Sequence, residues 1–181
     1  MALTPSNMLE LGTQAPSFQL LNVKSSNIES LENLQSDKAT VIAFICNHCP
    51  YVKHINTGLI ELANDYMAKG ISFIGISAND ADNYPEDSPE KMKEMPYPFP
   101  YLYDESQDIA KAYDAACTPD FYVFDKEMNL VYRGQMDDSR PGNGIEVTGK
   151  DIAQVLELLL KGETVPAEGQ RPSIGCNIKW K

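Results

Sequence analysis

A chain of 181 residues with 26 acidic against 15 basic side chains carries a formal net charge of −11, which excludes nucleic acid and anionic membrane surfaces as natural partners. Apolar residues make up 43%, enough for one domain with a substantial core, expected over residues 1–181. The N-terminus has no basic start followed by an apolar block, and no run approaches the roughly 18 apolar residues of a membrane span. The expected compartment is therefore the cytoplasm. Four cysteines are too few for a disulfide scaffold, so in a reducing compartment they are unbridged, catalytic or metal-bound.

Residues 16–20 alternate as a half-buried strand does, 22–27 read as a turn, and 28–34 as a short helical turn. Residues 40–45 are apolar throughout, the pattern of a central strand buried on both faces. Cys46-Asn47-His48-Cys49-Pro50 closes that strand and opens an amphipathic helix with Val52, Ile55, Leu59, Leu62, Ala63 and Tyr66 on one stripe, ending at Gly70. Residues 71–77 form a second buried strand one crossover helix later, so the two are expected to be parallel neighbours. Ser88-Pro89 reads as a helix cap, and the prolines between Met95 and Pro100 exclude regular helix. A short strand at 101–103 and a compact helix at 106–115 follow. Strands at 121–125 and 130–134 are joined as an antiparallel hairpin. A loop over 137–149 leads to a last amphipathic helix at 152–160. Residues 162–181 read as an irregular tail, either docked through Ile174, Ile178 and Trp180 or supplying Cys176 as a resolving thiol.

The chemistry centres on the Cys-x-x-Cys turn. A thiol where a strand passes into a helix meets unpaired backbone N–H groups and the positive end of the helix dipole, both of which stabilise a thiolate. Two intervening residues place the sulfurs within disulfide reach, so that one thiol can resolve a mixed disulfide on the other. Pro50 disfavours helical backbone at Cys49, so two readings stand: Cys46, nearer the strand end, as the ionised sulfur, or, if the regular helix begins at Pro50, Cys49 at the cap with the dipole advantage. A cationic His48 beside the pair would favour the thiolate further. Cys46, His48, Cys49 and His54 also make a thiolate and imidazole set suited to zinc or cuprous copper, so a metal-binding module is the non-enzymatic alternative.

The order of elements, the cysteine pair and Thr118-Pro119 ahead of a strand resemble the thioredoxin fold, an α/β architecture with a central mixed sheet flanked by helices. That resemblance implies a cis peptide before Pro119, with Thr118 facing the cysteines and Cys117 near enough to act as a third thiol. It also implies Cys46, the more exposed sulfur, as nucleophile and Cys49 as its resolving partner. His48 before the second cysteine resembles the spacing of strongly oxidising periplasmic disulfide oxidases. More specifically, residues 11–18, 99–104 and 109–113 resemble the peroxiredoxin branch that includes alkyl hydroperoxide reductases and thiol-specific antioxidants. This likeness runs over about residues 10–161 with an N-terminal extension of that branch. Aligned on Cys49-Pro50, its Pro-x-x-x-Thr-x-x-Cys motif meets Ile42 and Cys46 where proline and threonine belong, and its arginine has no counterpart unless Arg133 or Arg140 folds back. The expectation is a cofactor-free thiol–disulfide oxidoreductase with Cys46 and Cys49 catalytic and His48, Pro50, Cys117, Thr118 and Pro119 in support. Its substrates would be disulfide-containing proteins or small thiols, and a cellular thiol reductant would recycle it. The alternative is reduction of hydroperoxides through Cys49.

Overall fold

The computed structural model describes residues 3–181, so the first two residues of the N-terminal segment lie outside it. In chain order the elements are β1 (Leu3–Pro5), β2 (Gln19–Asn22), β3 (Asn27–Ser30), α1 (Leu31–Leu34), β4 (Ala39–Phe44), α2 (Pro50–Met67), β5 (Ser72–Ser77), a 3-10 turn at Pro85–Asp87, α3 (Pro89–Met92), β6 (Tyr101–Tyr103), α4 (Asp108–Ala112), β7 (Cys117–Thr118), β8 (Asp120–Asp125), β9 (Leu130–Gly134), α5 (Lys150–Leu160) and β10 (Ile174–Asn177). Among these described residues no helix is long and apolar enough to cross a membrane.

Seven strands make a mixed sheet in the order β3-β2-β6-β5-β4-β8-β9. β4 lies between parallel β5 and antiparallel β8 and is buried along its whole length, which is why its six residues are apolar apart from Thr40. Its side chains alternate between two cores. Val41 and Ala43 face α2 and α5, while Ile42 and Phe44 pack with Ala110 and Tyr113 on the other face. α2 begins with Pro50 at its first position and buries the stripe from Val52 to Tyr66, as its periodicity requires.

Three local expectations are revised. The first strand runs over Gln19–Asn22, and the stretch after it is a hairpin: Ser26, at φ +61°, donates its N–H to the Asn22 carbonyl at 2.8 Å and turns the chain into β3. β3 is an exposed edge with Ile28 facing solvent, so it lacks the alternation that marks a half-buried strand. The helix expected over 106–115 is confined to α4, which starts after Gln107 in left-handed backbone. The tail, expected to be irregular, contains β10. Ile178 and Cys176 are buried, but Trp180 is 43% exposed and Ile174 39%, so docking rests on backbone pairing and Ile178 and not on the tryptophan.

β10 lies between β1 and β7 in a second, antiparallel sheet that brings both ends of the described chain together. Two glycines permit this close packing. At Gly175 a Cβ would sit 2.0 Å from the Thr118 carbonyl oxygen, and at Gly134, with φ +132°, 1.9 Å from that of Arg171. Gly134→Ala is expected to push the tail off β9 and destabilise the protein by about 1–3 kcal/mol. An unchanged urea midpoint in this variant would show that the tail contact at Gly134 is not needed.

Candidate functional site

The antiparallel register of β4 and β8 pairs Phe44 with Asp120. Cys46 lies two residues beyond Phe44 and Thr118 two residues before Asp120, so the register carries the cysteine turn to the Thr118–Pro119 peptide, which is cis. Both sulfurs of the pair touch Thr118. Cys46 Sγ is 3.4 Å from its hydroxyl, and Cys49 Sγ is 3.3 Å from its carbonyl oxygen. The third sulfur at this point belongs to Cys176, whose register partner is Thr118 and whose Sγ is 2.9 Å from that of Cys49. Cys117 Sγ is 3.8 Å from the Pro119 carbonyl oxygen, with Cys49 and Cys176 among the groups whose charge it feels. None of the four cysteines is in a disulfide.

The two sulfurs of the motif differ sharply in acidity. Cys49 is the N-cap of α2, and its pKa is pulled down to about 4, first by a hydrogen bond from the Cys46 thiol and then by the Cys176 thiol and the Val52 N–H, against the opposing effect of burial. Cys46 is pushed up by that same hydrogen bond, by burial and by the negative charge of Asp87. The greater exposure expected for Cys46 is not found: Cys46 and Cys49 are 1% and 0% exposed. Burial, followed by the hydrogen bond to Cys49, pushes Cys176 up to about 12, and burial with the nearby Asp120 pushes Cys117 up as well.

Asp87, which sequence reasoning passed over, organises the turn between the cysteines. Its fully buried carboxylate accepts the backbone N–H groups of Asn47 at 2.7 Å and His48 at 3.0 Å, pairs with His48 Nδ1 at 2.5 Å, and accepts from Asn79 Nδ2 at 2.8 Å. Asn79 in turn accepts the N–H of Lys179, which ties this network to the tail. The imidazole of His48 stacks on Tyr84 with ring centroids 5.1 Å apart, and its Nε2 has no hydrogen-bond partner among the described residues. His48 is therefore held by a carboxylate at the edge of the pair.

The thiolate and imidazole set read from sequence does not assemble as drawn. Ligand-type atoms of Cys46, His48 and Asp87 lie within 4.8 Å of one another, whereas His54 turns away to the Ser139 hydroxyl at 2.6 Å. The two arginines considered as a peroxide-binding group are engaged elsewhere. Arg133 donates to the Leu9 carbonyl and the Gln170 side chain, and Arg140 to the carbonyls of Asp137 and Ser139 and the Gln135 side chain.

Directly after Pro119, the buried carboxyl of Asp120 accepts from the Ser6 hydroxyl at 2.7 Å and the Tyr122 hydroxyl at 3.1 Å. Ser6 and Ser173 are bonded to each other through Ser6 N–H to the Ser173 carbonyl and Ser173 N–H to the Ser6 hydroxyl, so this carboxyl clasps both strands that flank the site.

A mixed sheet flanked by helices, with a cysteine pair at the strand-to-helix turn opposite a cis proline, defines a protein of the thioredoxin-like fold. Within that fold the chain belongs to the AhpC/TSA family, whose model matches residues 11–133. Among solved structures it is similar to an uncharacterized conserved protein from Geobacillus kaustophilus, at 63% identity over 100% of this chain and 97% of that one, with a TM-score of 0.97. A hypothetical protein from Sinorhizobium meliloti 1021 is 46% identical over 98% of each chain, with a TM-score of 0.94. The thioredoxin domain of a thiol-disulfide oxidoreductase from Bacteroides vulgatus shares the fold at 18% identity, with a TM-score of 0.63 over 82% of this chain and 99% of that one. No curated protein matches the chain.

Two titrations test this electrostatic description. The ultraviolet absorbance of a thiolate should persist in the reduced protein as pH falls toward about 4 and be missing in Cys49→Ser, and a signal that first appears near the free-cysteine value of about 8.5 would contradict it. For Asp120, burial lifts the carboxyl to about 7 in the folded protein, above the about 3.9 of an unfolded chain. A raised folded value means that its contribution is complete below about pH 4 and is lost as pH climbs through about 7. Asp120→Asn cannot ionise. Relative to wild type it should gain stability between about pH 5 and 8, by at most on the order of 4 kcal/mol, and parallel Tm–pH curves for the two proteins would refute the assignment.

Proposed function

We propose that the protein is a thiol–disulfide oxidoreductase working through Cys49 and Cys46. The observation that carries this reading is the placement of the pair, with Cys49 at the N-cap of α2 and both sulfurs against Thr118 of the cis-proline loop, an arrangement that pulls the Cys49 pKa down and pushes that of Cys46 up. The Cys49 thiolate attacks a substrate disulfide, forming a mixed disulfide and expelling one substrate thiolate. Cys46 then loses its proton and attacks the Cys49 sulfur, which closes the Cys46–Cys49 disulfide and releases the second substrate thiolate. The roles are the reverse of those the thioredoxin resemblance implies, because Cys49 holds both the cap and the hydrogen bonds that favour ionisation. Membership of the AhpC/TSA family supports a redox role, and the thioredoxin-like fold is compatible with exchange chemistry.

Substrates of this reading are protein or small-molecule disulfides, and a cellular thiol reductant regenerates the dithiol. Hydroperoxide reduction by Cys49 is less favoured, since the arginines are committed elsewhere and Cys46 stands in place of the motif threonine. Replacement of Cys49 by serine should bring insulin-disulfide reduction down to the uncatalysed rate, and Cys46→Ser should slow turnover because the resolving thiol within the motif is gone. Wild-type activity in the Cys49 variant would dispose of the reading. Peroxide consumption much faster than that of free cysteine thiolate would favour the peroxidase instead.

A further inference from the structure

We propose that Cys176 is a third redox thiol of this site, which closes an alternative disulfide with Cys49. Cys49 has a thiol on either side, and the Cys176 sulfur is already 2.9 Å away. A disulfide bond measures about 2.05 Å, so closure asks for about 1 Å or less of further approach. The placement is built into the fold. β10 is paired on one side with β1 and on the other with β7, in the register Cys176 to Thr118 and Asn177 to Cys117. Glycine at 175 lets this backbone come against Thr118 at a distance that any Cβ would forbid. The outcome is a cysteine on a strand that overlies the motif, with its thiol directed at the more acidic of the two motif sulfurs.

The step deepens the proposed exchange reaction and rests on it. Once a substrate disulfide has been attacked by Cys49, the mixed disulfide presents the Cys49 sulfur to Cys176. Cys176 gives up its proton and attacks that sulfur. The Cys49–Cys176 bond forms, the bond from Cys49 to the substrate breaks, and the substrate sulfur leaves with the electron pair and takes the proton. The substrate disulfide is the oxidant, reduced by two electrons overall, and the two protein thiols are oxidised. Burial, the largest cause of the raised Cys176 pKa, remains, but bonding Cys49 to substrate removes the hydrogen bond and the negative charge that add to it, while Lys179 continues to favour ionisation. Ionisation of Cys176 is thus easier once substrate is bonded to Cys49 than in the resting state. Both motif sulfurs are buried at rest.

The test is disulfide mapping of the full chain. Wild type, Cys46→Ser and the double variant Cys46→Ser with Cys176→Ser are exposed to oxidised glutathione, alkylated, and digested without reduction for mass spectrometry. In Cys46→Ser the peptide bearing Cys49 should be joined to the peptide bearing Cys176, with little glutathione adduct. In the double variant that linkage is lost and the Cys49–glutathione adduct accumulates. If wild type closes Cys46–Cys49 while Cys46→Ser stops at the adduct with Cys176 open to alkylation, the inference fails and the exchange reaction stands. A wild-type chain that acquires neither disulfide nor adduct overturns both.

Discussion

The register between β4 and β8 is the constraint on which the site depends. Side chains alternate along a strand, so a slip of one residue would turn Phe44 and its neighbours out of their core and separate the cysteine turn from Thr118. Burial of β4 on both faces makes such a slip prohibitive. The apolar side chains that fix the register have no part in the chemistry, yet they decide which atoms meet at the sheet's end. Two segments about 70 residues apart in sequence are thereby brought into hydrogen-bonding distance.

On that frame the turn acquires its polarity from groups that sequence does not place together. Asp87 holds the Asn47 and His48 amides, and its charge discourages ionisation of Cys46, while the helix start and two neighbouring thiols encourage it at Cys49. A buried carboxylate is costly unless its hydrogen-bonding capacity is filled, and here four donors fill it. The same group therefore shapes the loop and adds to the raised pKa of Cys46. His48 is recruited to Asp87, which makes it a partner of the loop's anchor more than of a thiolate.

The parts of the molecule legible in the sequence are those governed by local periodicity. β4, α2 and β5 carry their burial patterns on their surface of residue types, and Pro50 marks the start of the helix. β3 was illegible because an exposed edge strand has no buried face to enforce alternation, and β10 because its pairing is satisfied by β1 and β7, at the far ends of the chain order. The motif cysteines announced themselves by spacing. Asp87 could not, since it sits in an acidic, turn-rich stretch where the sequence does not distinguish it from neighbouring carboxylates. Cys176 was visible as a cysteine in an apolar tail, but its approach to Cys49 depends on a glycine contact that only three-dimensional packing defines.

The tail that brings Cys176 to the site also covers something else. Along the outer side of β9, Gln170 donates to the Val131 carbonyl and accepts from the Arg133 N–H, and the Gln135 N–H is bonded to the Arg171 carbonyl. These contacts occupy backbone groups of an edge strand that would otherwise offer a template for pairing with another chain. Wholesale release of the tail would thus expose a sticky sheet margin together with the thiols. Release of Ile174–Asn177 alone would leave the contacts of 170 and 171, and with them the closed margin of β9, in place.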